Sequence, residues 1–249
     1  MPQDFLDAGG LRIRYQRAGV GAPVLLLHGW GGRIESMAPI FDAVAAHCDA
    51  VSIDFPGHGE SSLPPRPWTV SDFLDCTIQV MDQLGLANPH IVAHSFGGRV
   101  TIKLAAAHPH RVNRILFTAG AGVKPPLSFG RKLKRAAAHI GGILPGTLRE
   151  RLRPYLASRD YVKAGSLRPT LAHVLGEDLT PYLGSIRSKC LLVWGDQDRE
   201  TPLYCAHTMK RLIPDSELIV FAGAGHFPYL DQVNKFNLLA MRFLRGEDA

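Results

Sequence analysis

The stretch that decides the fold is PHIVAHSFGG, residues 89–98. Its apolar run predicts a buried strand, and residues 99–107 predict a helix. Between them Ser95 stands on a sharp turn, with the small residues Ala93 and Gly97 two positions before and after it. Such a serine is typical of a nucleophile elbow, in which a strained turn has room only for small neighbours and exposes the hydroxyl. Ala93 replaces the first glycine of the usual G-x-S-x-G pattern, a mild departure.

Residue types that could activate this serine follow it in the chain. A serine hydroxyl becomes a good nucleophile only when a base removes its proton, and a carboxylate must orient that base. The segment KCLLVWGDQDRETP places Asp196 and Asp198 after an apolar strand, and ELIVFAGAGHFPYLDQ places His226 after another. Both positions lie just beyond the carboxyl end of a predicted strand, where open parallel sheets place their sites.

A third segment precedes the serine. PVLLLHGWGG predicts a strand that ends in a glycine-rich loop, with His28, Gly29 and Trp30 at its start. Because glycine allows unusual backbone conformations, this loop can turn N–H groups toward a negative charge that develops on a substrate oxygen.

With these motifs together, the chain resembles the α/β-hydrolase superfamily. HGWGG, DFPGHGESS, AHSFGG, WGDQD and GAGHFPYLD occur in the family order over most of the sequence. The resemblance implies an esterase- or lipase-like serine hydrolase with an α/β-hydrolase fold: a mostly parallel, doubly wound sheet with an inserted helical cap.

The resemblance also assigns roles to single residues. It makes Ser95 the nucleophile, Asp198 the acid and His226 the base. The backbone N–H groups of Trp30 and Phe96 would form the oxyanion hole. The substrate contacts expected from the same loops are Gly29, Trp30 and Phe96.

Several nearby residues compete for these roles. Asp196 is the rival acid, but the family spacing G-x-x-D favours Asp198, and Asp196 is the better candidate for a loop cap. His94 adjoins the serine, yet on so tight a turn its side chain cannot easily point the same way, so we expect a pocket wall. His28 and His58 lie on glycine-rich loops, and we expect them to brace those loops by hydrogen bonds.

No motif in the sequence predicts a metal or another cofactor. The remaining histidines are scattered and show neither H-E-x-x-H nor C-x-x-C spacing. We therefore expect catalysis without a cofactor.

Length and composition predict one domain of ordinary size. The chain has 249 residues, of which 46% are hydrophobic, enough to bury a full core. No apolar run reaches the roughly 18 residues of a membrane span, and the N-terminus lacks a secretory pattern. The four cysteines, widely spaced, predict free buried thiols and a cytoplasmic protein. We expect a monomer or a homodimer.

Alternating strands and helices predict the layout of the domain. The expected elements are an N-terminal hairpin that turns at Gly9-Gly10, six central strands, and a helix over 69–84 that begins with a capping box of Thr69 and Asp72. The pattern of strands stops between about 123 and 184. We therefore predict a hydrolase core of residues 1–122 and 185–249, with residues 123–184 inserted as the cap.

The predicted cap carries the positive charge of the protein. Residues 122–181 contain eleven lysines and arginines and four acidic residues, while the whole chain has a net charge of +6. The ordinary explanation is a soluble lid; a sharper one is attraction of an anionic substrate or a membrane surface. An amphipathic helix over 129–140 would suit a lid or a membrane surface. No motif accompanies the charge that would predict nucleic-acid binding.

The sequence favours hydrolysis of a small-molecule ester or a related acyl bond. A carbon–carbon bond hydrolase of dienoic acids is the second interpretation, because it has the same triad and its anionic substrates suit a basic cap. A serine at the elbow argues against haloalkane dehalogenases and epoxide hydrolases, which resemble this fold but use aspartate. The basic cap argues against a proline-type aminopeptidase, and the complete triad against a non-catalytic receptor.

Overall fold

A computed structural model describes residues 4–124 and 165–247. The strands are β1 (Asp4–Ala8), β2 (Leu11–Ala18), β3 (Pro23–Leu27), β4 (Asp49–Ile53), β5 (His90–His94), β6 (Arg114–Thr118), β7 (Lys189–Gly195) and β8 (Ser216–Phe221). They form one eight-stranded sheet in the order β1-β2-β4-β3-β5-β6-β7-β8. The pairs β1–β2 and β2–β4 are antiparallel and the others parallel, which confirms the predicted, mostly parallel sheet.

The predicted N-terminal hairpin is present. Ala8 pairs with Leu11, so the turn contains only Gly9 and Gly10, whose φ angles are 64° and 83°. A two-residue turn with positive φ at both positions matches the twist of the strands it joins, and glycine adopts that conformation without a steric penalty.

Helices cover both faces of the sheet. In the described ranges they are α1 (Ala38–Ala45), α2 (Val70–Gln83), α3 (Phe96–Ala107), α4 (Arg168–Gly176), α5 (Leu203–Leu212), α6 (Pro228–Asp231) and α7 (Val233–Leu244). Short 3₁₀ turns span Ile34–Met37, Pro109–Arg111, Gly165–Leu167 and Thr180–Ser185. The helix predicted over 69–84 is α2, and the reciprocal hydrogen bonds of Thr69 and Asp72 at its start confirm the capping box.

The helix after the serine begins three residues earlier than predicted, at Phe96 rather than at residue 99. The two glycines that suggested a longer turn belong to the first helical turn. A Cβ on Gly97 would lie 2.4 Å from the carbonyl oxygen of Leu27, and one on Gly98 would lie 3.0 Å from Cα of Gly120. Both glycines therefore let the helix start close against the sheet.

Both faces of the central strands are buried. In β3, Leu25 and Leu27 belong to one apolar cluster, while Val24 and Leu26 belong to the cluster on the opposite face. This is the burial expected of a parallel strand that has helices on both sides. The four cysteines are free and buried, as predicted. Within the described residues, no helix has both the length and the apolar character needed to cross a bilayer.

The end of the predicted cap is attached to the core. The structure describes residues 123–124 and 165–184 of the segment 123–184, and these contain α4 and two 3₁₀ turns. Arg99 of α3 donates a hydrogen bond to the carbonyl of Glu177 at 3.0 Å, and the N–H of Leu179 donates to Gly122 at 2.9 Å. The helix predicted over 129–140 lies outside the described residues. The domain boundaries therefore stay a prediction.

Candidate functional site

Ser95 occupies a strained turn between β5 and α3. Its φ and ψ are 46° and −108°, a combination that non-glycine residues rarely adopt. Such a conformation costs about 1–3 kcal/mol and persists only where the surroundings enforce it. Here the carbonyl of Ser95 accepts hydrogen bonds from the N–H groups of Gly98 and Ala121, both at 2.9 Å. Ser95 is half-buried, whereas the residues beside it are buried, so the turn exposes the serine.

His226 and Asp198 form a hydrogen-bonded pair beside the serine. Nδ1 of His226 lies 2.9 Å from Oδ2 of Asp198, and both side chains are almost completely buried. Asp198 follows β7 and His226 follows β8, so the sheet brings together residues 28 positions apart. Asp196, the rival acid, is exposed and accepts a hydrogen bond from the N–H of Gly223 at 2.8 Å.

The surroundings of Asp198 keep its carboxylate ionised. Burial by itself raises the pKa of Asp198, but hydrogen bonds from His226 and Thr201 outweigh it and leave the pKa below the ordinary value of 3.8. Oδ1 accepts the N–H groups of Glu200 and Thr201 at 2.8 and 3.0 Å, and the Thr201 hydroxyl lies 2.7 Å from Oδ2. The N–H groups of His226, Glu200 and Thr201 thus donate to the carboxylate and fix its orientation, and the single proton of the Thr201 hydroxyl adds a fourth bond when it points to Oδ2.

Thr201 also connects this loop to a second strained residue. Its hydroxyl lies 3.1 Å from the carbonyl oxygen of Ala119, which has a φ of 49° at the end of β6. The N–H of Ala119 in turn donates to Val193 of β7 at 3.0 Å. The position of Asp198 is therefore coupled to the ends of two adjacent strands.

The glycine-rich loop after β3 lies against the serine turn. The N–H of Gly97 donates to the carbonyl of His28 at 3.1 Å, which ties the loop to α3. A Cβ on Gly29 would lie 2.7 Å from Nδ1 of His94 and 3.3 Å from Cβ of Ser95, so only glycine fits there. Trp30 is half-buried and lies beside Ser95 in a common cavity.

Phe96 is placed differently from the other predicted substrate contacts. Its side chain is 2% exposed and packs against the rings of Trp30, Phe55 and Phe73 with centroids about 5 Å apart. The ring therefore belongs to the core. Any contact between Phe96 and a substrate has to come from its backbone N–H at the start of α3.

Two histidines brace the loops around the site, as the sequence predicts. Nε2 of His28 accepts the N–H of Phe55 at 3.0 Å, and its Nδ1 lies 2.7 Å from the carbonyl of Gly29. Burial lowers the pKa of His28 to about 4. His58 places Nδ1 3.1 Å from the carbonyl of Pro56, and burial together with His28 lowers its pKa to about 3.

A buried network of ionic side chains anchors the loops after β3 and β4. Arg14 of β2 is 1% exposed and lies 3.2 Å from the fully buried carboxylate of Asp54. It also pairs with Glu35, at the start of the 3₁₀ turn after the glycine-rich loop. Oδ1 of Asp54 accepts the N–H of Ile34 at 2.7 Å. The loops after β3 and β4 are thus anchored to one another through Arg14 and Asp54.

Ser95, His226 and the glycine-rich loop line one cavity of about 210 Å³. Its walls, in chain order, are Gly29, Trp30, Gly31, Gly32, Ser36, His94, Ser95, Glu200, His226, Phe227 and Tyr229. His94 is a cavity wall, as predicted. Four lining residues were not predicted from the sequence: Ser36, Glu200, Phe227 and Tyr229. Glu200 had no signal of its own, because the segment around it suggested only the two aspartates as acids.

Within the described part of the chain, no basic residue of the predicted cap lines this cavity. Of the eleven basic residues in 122–181, all but Lys124 and Arg168 lie outside the described residues. The expectation of an anionic substrate, which rests on that charge, stays a prediction. Residues 4–124 and 165–247 also contain no group of three or more His, Cys, Asp or Glu side chains that could hold a metal ion.

A mostly parallel sheet with a strained serine between strand and helix is the architecture of α/β hydrolases. A model of the alpha/beta hydrolase family matches residues 24–236. The chain belongs to this family, which supports a hydrolase with a small-molecule substrate.

Individual relatives differ in their reactions. The chain is 30% identical over 269 residues to the dihydrolipoyllysine-residue acetyltransferase component of an acetoin cleaving system from Cupriavidus necator, covering 97% of this chain and 69% of that protein. It is 27% identical over 264 residues to a 2-hydroxymuconate semialdehyde hydrolase from Pseudomonas putida, covering 97% and 94%. A meta-cleavage product hydrolase from Pseudomonas fluorescens IP01 shares the fold, with a TM-score of 0.77, 22% identity, and coverage of 98% and 97%.

Proposed function

We propose that the protein hydrolyses a carboxylic ester or a related acyl bond of a small molecule through an acyl-enzyme on Ser95. The observation that carries the proposal is the 2.9 Å contact between Nδ1 of His226 and Oδ2 of Asp198. His226 lines the same cavity as the strained Ser95. A serine, a histidine and an ionised carboxylate in this relation are the parts that acyl transfer requires.

The proposed reaction has two steps. Nε2 of His226 takes the proton from Oγ of Ser95 as the oxygen attacks the substrate carbonyl, and the N–H groups of Trp30 and Phe96 stabilise the oxyanion. His226 then gives its proton to the leaving group. In the second step the same histidine activates a water molecule, which releases the acid and restores Ser95. Asp198 fixes the tautomer of His226 and stabilises its positive form.

Acyl chemistry is also favoured by one of the relatives, since the Cupriavidus necator protein is by name an acetyltransferase component. The second candidate is carbon–carbon bond hydrolysis of dienoic acids, which the name of the Pseudomonas putida relative favours. Glu200 weakens that candidate, because an exposed carboxylate in the cavity opposes binding of a second negative charge.

Two measurements test the proposal. A fluorophosphonate probe followed by peptide mass mapping should label Ser95 in the wild type, and Ser95→Ala should remove the label. A panel of activated esters, thioesters and lactones, compared with a dienoic ketone acid, should show turnover of an acyl substrate. Turnover of the ketone acid alone would favour the second candidate, and neither labelling nor turnover would favour a non-catalytic receptor.

We also propose a cytoplasmic location. The four free, buried thiols support it, because such cysteines suit a reducing compartment.

A further inference from the structure

Glu200 places a carboxylate next to the proton-transfer atom of the proposed base. Oε2 of Glu200 lies 3.5 Å from Nε2 of His226, on the side of the imidazole opposite Asp198. The backbone N–H of Glu200 donates to Oδ1 of Asp198 at 2.8 Å, so the main chain of this residue is fixed by the same carboxylate that orients His226. Its side chain is 60% exposed and lines the cavity that contains Ser95.

The other walls of the cavity favour an organic cation. Trp30 and Phe227 are partly or fully exposed aromatic residues of the lining, whereas the side chain of Tyr229 is buried in the core. Within the described residues, Glu200 is the one acidic residue of the lining, and neither lysine nor arginine lines the cavity. Aromatic faces attract cations through their quadrupoles, and a carboxylate adds a direct charge interaction. The volume of about 210 Å³ suits a small group.

The position of Glu200 beside His226 indicates which part of the substrate it would contact. In the proposed reaction Nε2 of His226 protonates the leaving oxygen, so that oxygen has to approach within hydrogen-bond distance of Nε2. A carboxylate 3.5 Å from the same atom is then within reach of a charged nitrogen two carbons beyond the leaving oxygen.

We propose that Glu200 determines specificity for the leaving group, and that the cavity binds a leaving alcohol with a positively charged nitrogen, such as an amino alcohol or a quaternary ammonium alcohol. This inference rests on the proposed function for its account of the leaving group. The binding of the free cation to the cavity does not depend on it.

The first experiment measures binding, so that it is independent of turnover. Choline and its neutral, isosteric alcohol 3,3-dimethylbutanol are titrated by calorimetry into the wild type, Ser95→Ala, Glu200→Gln and Glu217→Gln. Glu217 is an exposed residue of β8, so its variant makes the same charge change away from the cavity. Choline should bind the wild type, Ser95→Ala and Glu217→Gln about equally, and Glu200→Gln about two- to fivefold more weakly. The neutral alcohol should not distinguish the four proteins.

The second experiment measures selectivity in catalysis. The ratio of kcat/KM for an acyl choline ester to that for the matching 3,3-dimethylbutyl ester should be raised about two- to fivefold by Glu200 in the wild type, and Glu200→Gln should lose that increase. Added salt should lower the ratio in the wild type. A ratio within one protein is insensitive to general damage to the site, and Glu217→Gln should retain it.

The outcomes separate the two proposals. Equal binding of choline and the neutral alcohol, or equal weakening by both glutamine variants, would overturn the cation site. Glu200-dependent binding of choline without hydrolysis of any ester would uphold the cation site and reject the proposed function.

Discussion

Nε2 of His94 lies 3.1 Å from the carbonyl oxygen of His226, so the residue before the serine holds the loop that carries the proposed base. A carbonyl only accepts hydrogen bonds, which places the proton of His94 on Nε2. Burial, together with the nearby His226, lowers the pKa of His94 to about 3, so the ring is neutral at pH 7 and keeps this tautomer. His94 is therefore a positioning residue for His226.

Replacing His94 with phenylalanine should reduce turnover without weakening substrate binding. The ring volume is largely retained, but the donor to His226 is lost, and one hydrogen bond of about 1 kcal/mol corresponds to an about fivefold change in rate. We expect kcat to fall about fivefold and KM for a neutral ester to change less than about twofold. His94→Gln, which retains a donor, should recover part of the rate. Equal losses in both variants would argue for a packing role alone.

The proposed acid and its rival can be separated by matched substitutions. Asp198→Asn should lower kcat by on the order of a thousandfold or more, because the amide cannot stabilise the positive form of His226. Asp196→Asn should stay within a few-fold, since Asp196 only caps the loop at Gly223. Ser95→Ala and His226→Ala should lose at least as much as Asp198→Asn. A severe defect in Asp196→Asn with an active Asp198→Asn would reverse the assignment.

Hydrolysis of activated esters should need no added metal. The serine mechanism generates its nucleophile from Ser95 and His226, so neither step requires a metal ion. We expect equal initial rates before and after dialysis against EDTA, measured with the ester that is turned over fastest. Loss of activity in EDTA and its return with a divalent ion would contradict the proposed mechanism.

The stability of the fold should depend on pH through buried histidines. The pKa of His58 falls from an ordinary 6.5 to about 3 because of burial and the nearby His28. Between these values the unfolded chain binds a proton that the folded protein excludes. The contribution of His58 is therefore complete above pH 6.5 and is lost as the pH falls toward 3.

Urea unfolding at several pH values between 7.5 and 4 tests this linkage. His58→Phe should lower the slope of unfolding free energy against pH by up to about 1.4 kcal/mol per pH unit in this range, because one linked proton is removed. The exposed residue His47 supplies the control, and His47→Phe should leave the slope unchanged. Parallel curves for wild type and His58→Phe would show that His58 titrates alike in both states.

The sequence predicted the parts of this molecule that depend on local patterns. The turn at Gly9-Gly10 and the capping box at Thr69 follow from backbone preferences of single residues, and each was found where it was expected. The order of the motifs also identified Asp198 and His226, whose hydrogen bond the structure shows. Their roles in catalysis stay proposals.

Other features depend on how distant segments meet. The sequence does not predict the contact between Glu200 and His226. The two residues lie on different loops, and the direction of an exposed side chain depends on how those loops meet. The start of α3 was misjudged for a related reason. Glycine usually marks a break in a helix. Position 97 instead needs glycine because a Cβ there would clash with the carbonyl oxygen of Leu27 in β3.

The hydrogen bond from the N–H of Gly97 to the carbonyl of His28 joins main-chain atoms only. Apart from Gly29, where only glycine fits, side chains on the loop that carries Trp30 can therefore change in evolution without breaking this main-chain link to the serine turn. A lineage could exchange Trp30, Ser36 or Glu200 for other residues and alter what the cavity accepts while the reacting atoms keep their places. The backbone contacts that position the site are therefore separate from the side chains that line the cavity. This separation is a physical route by which proteins with the same backbone come to accept different substrates.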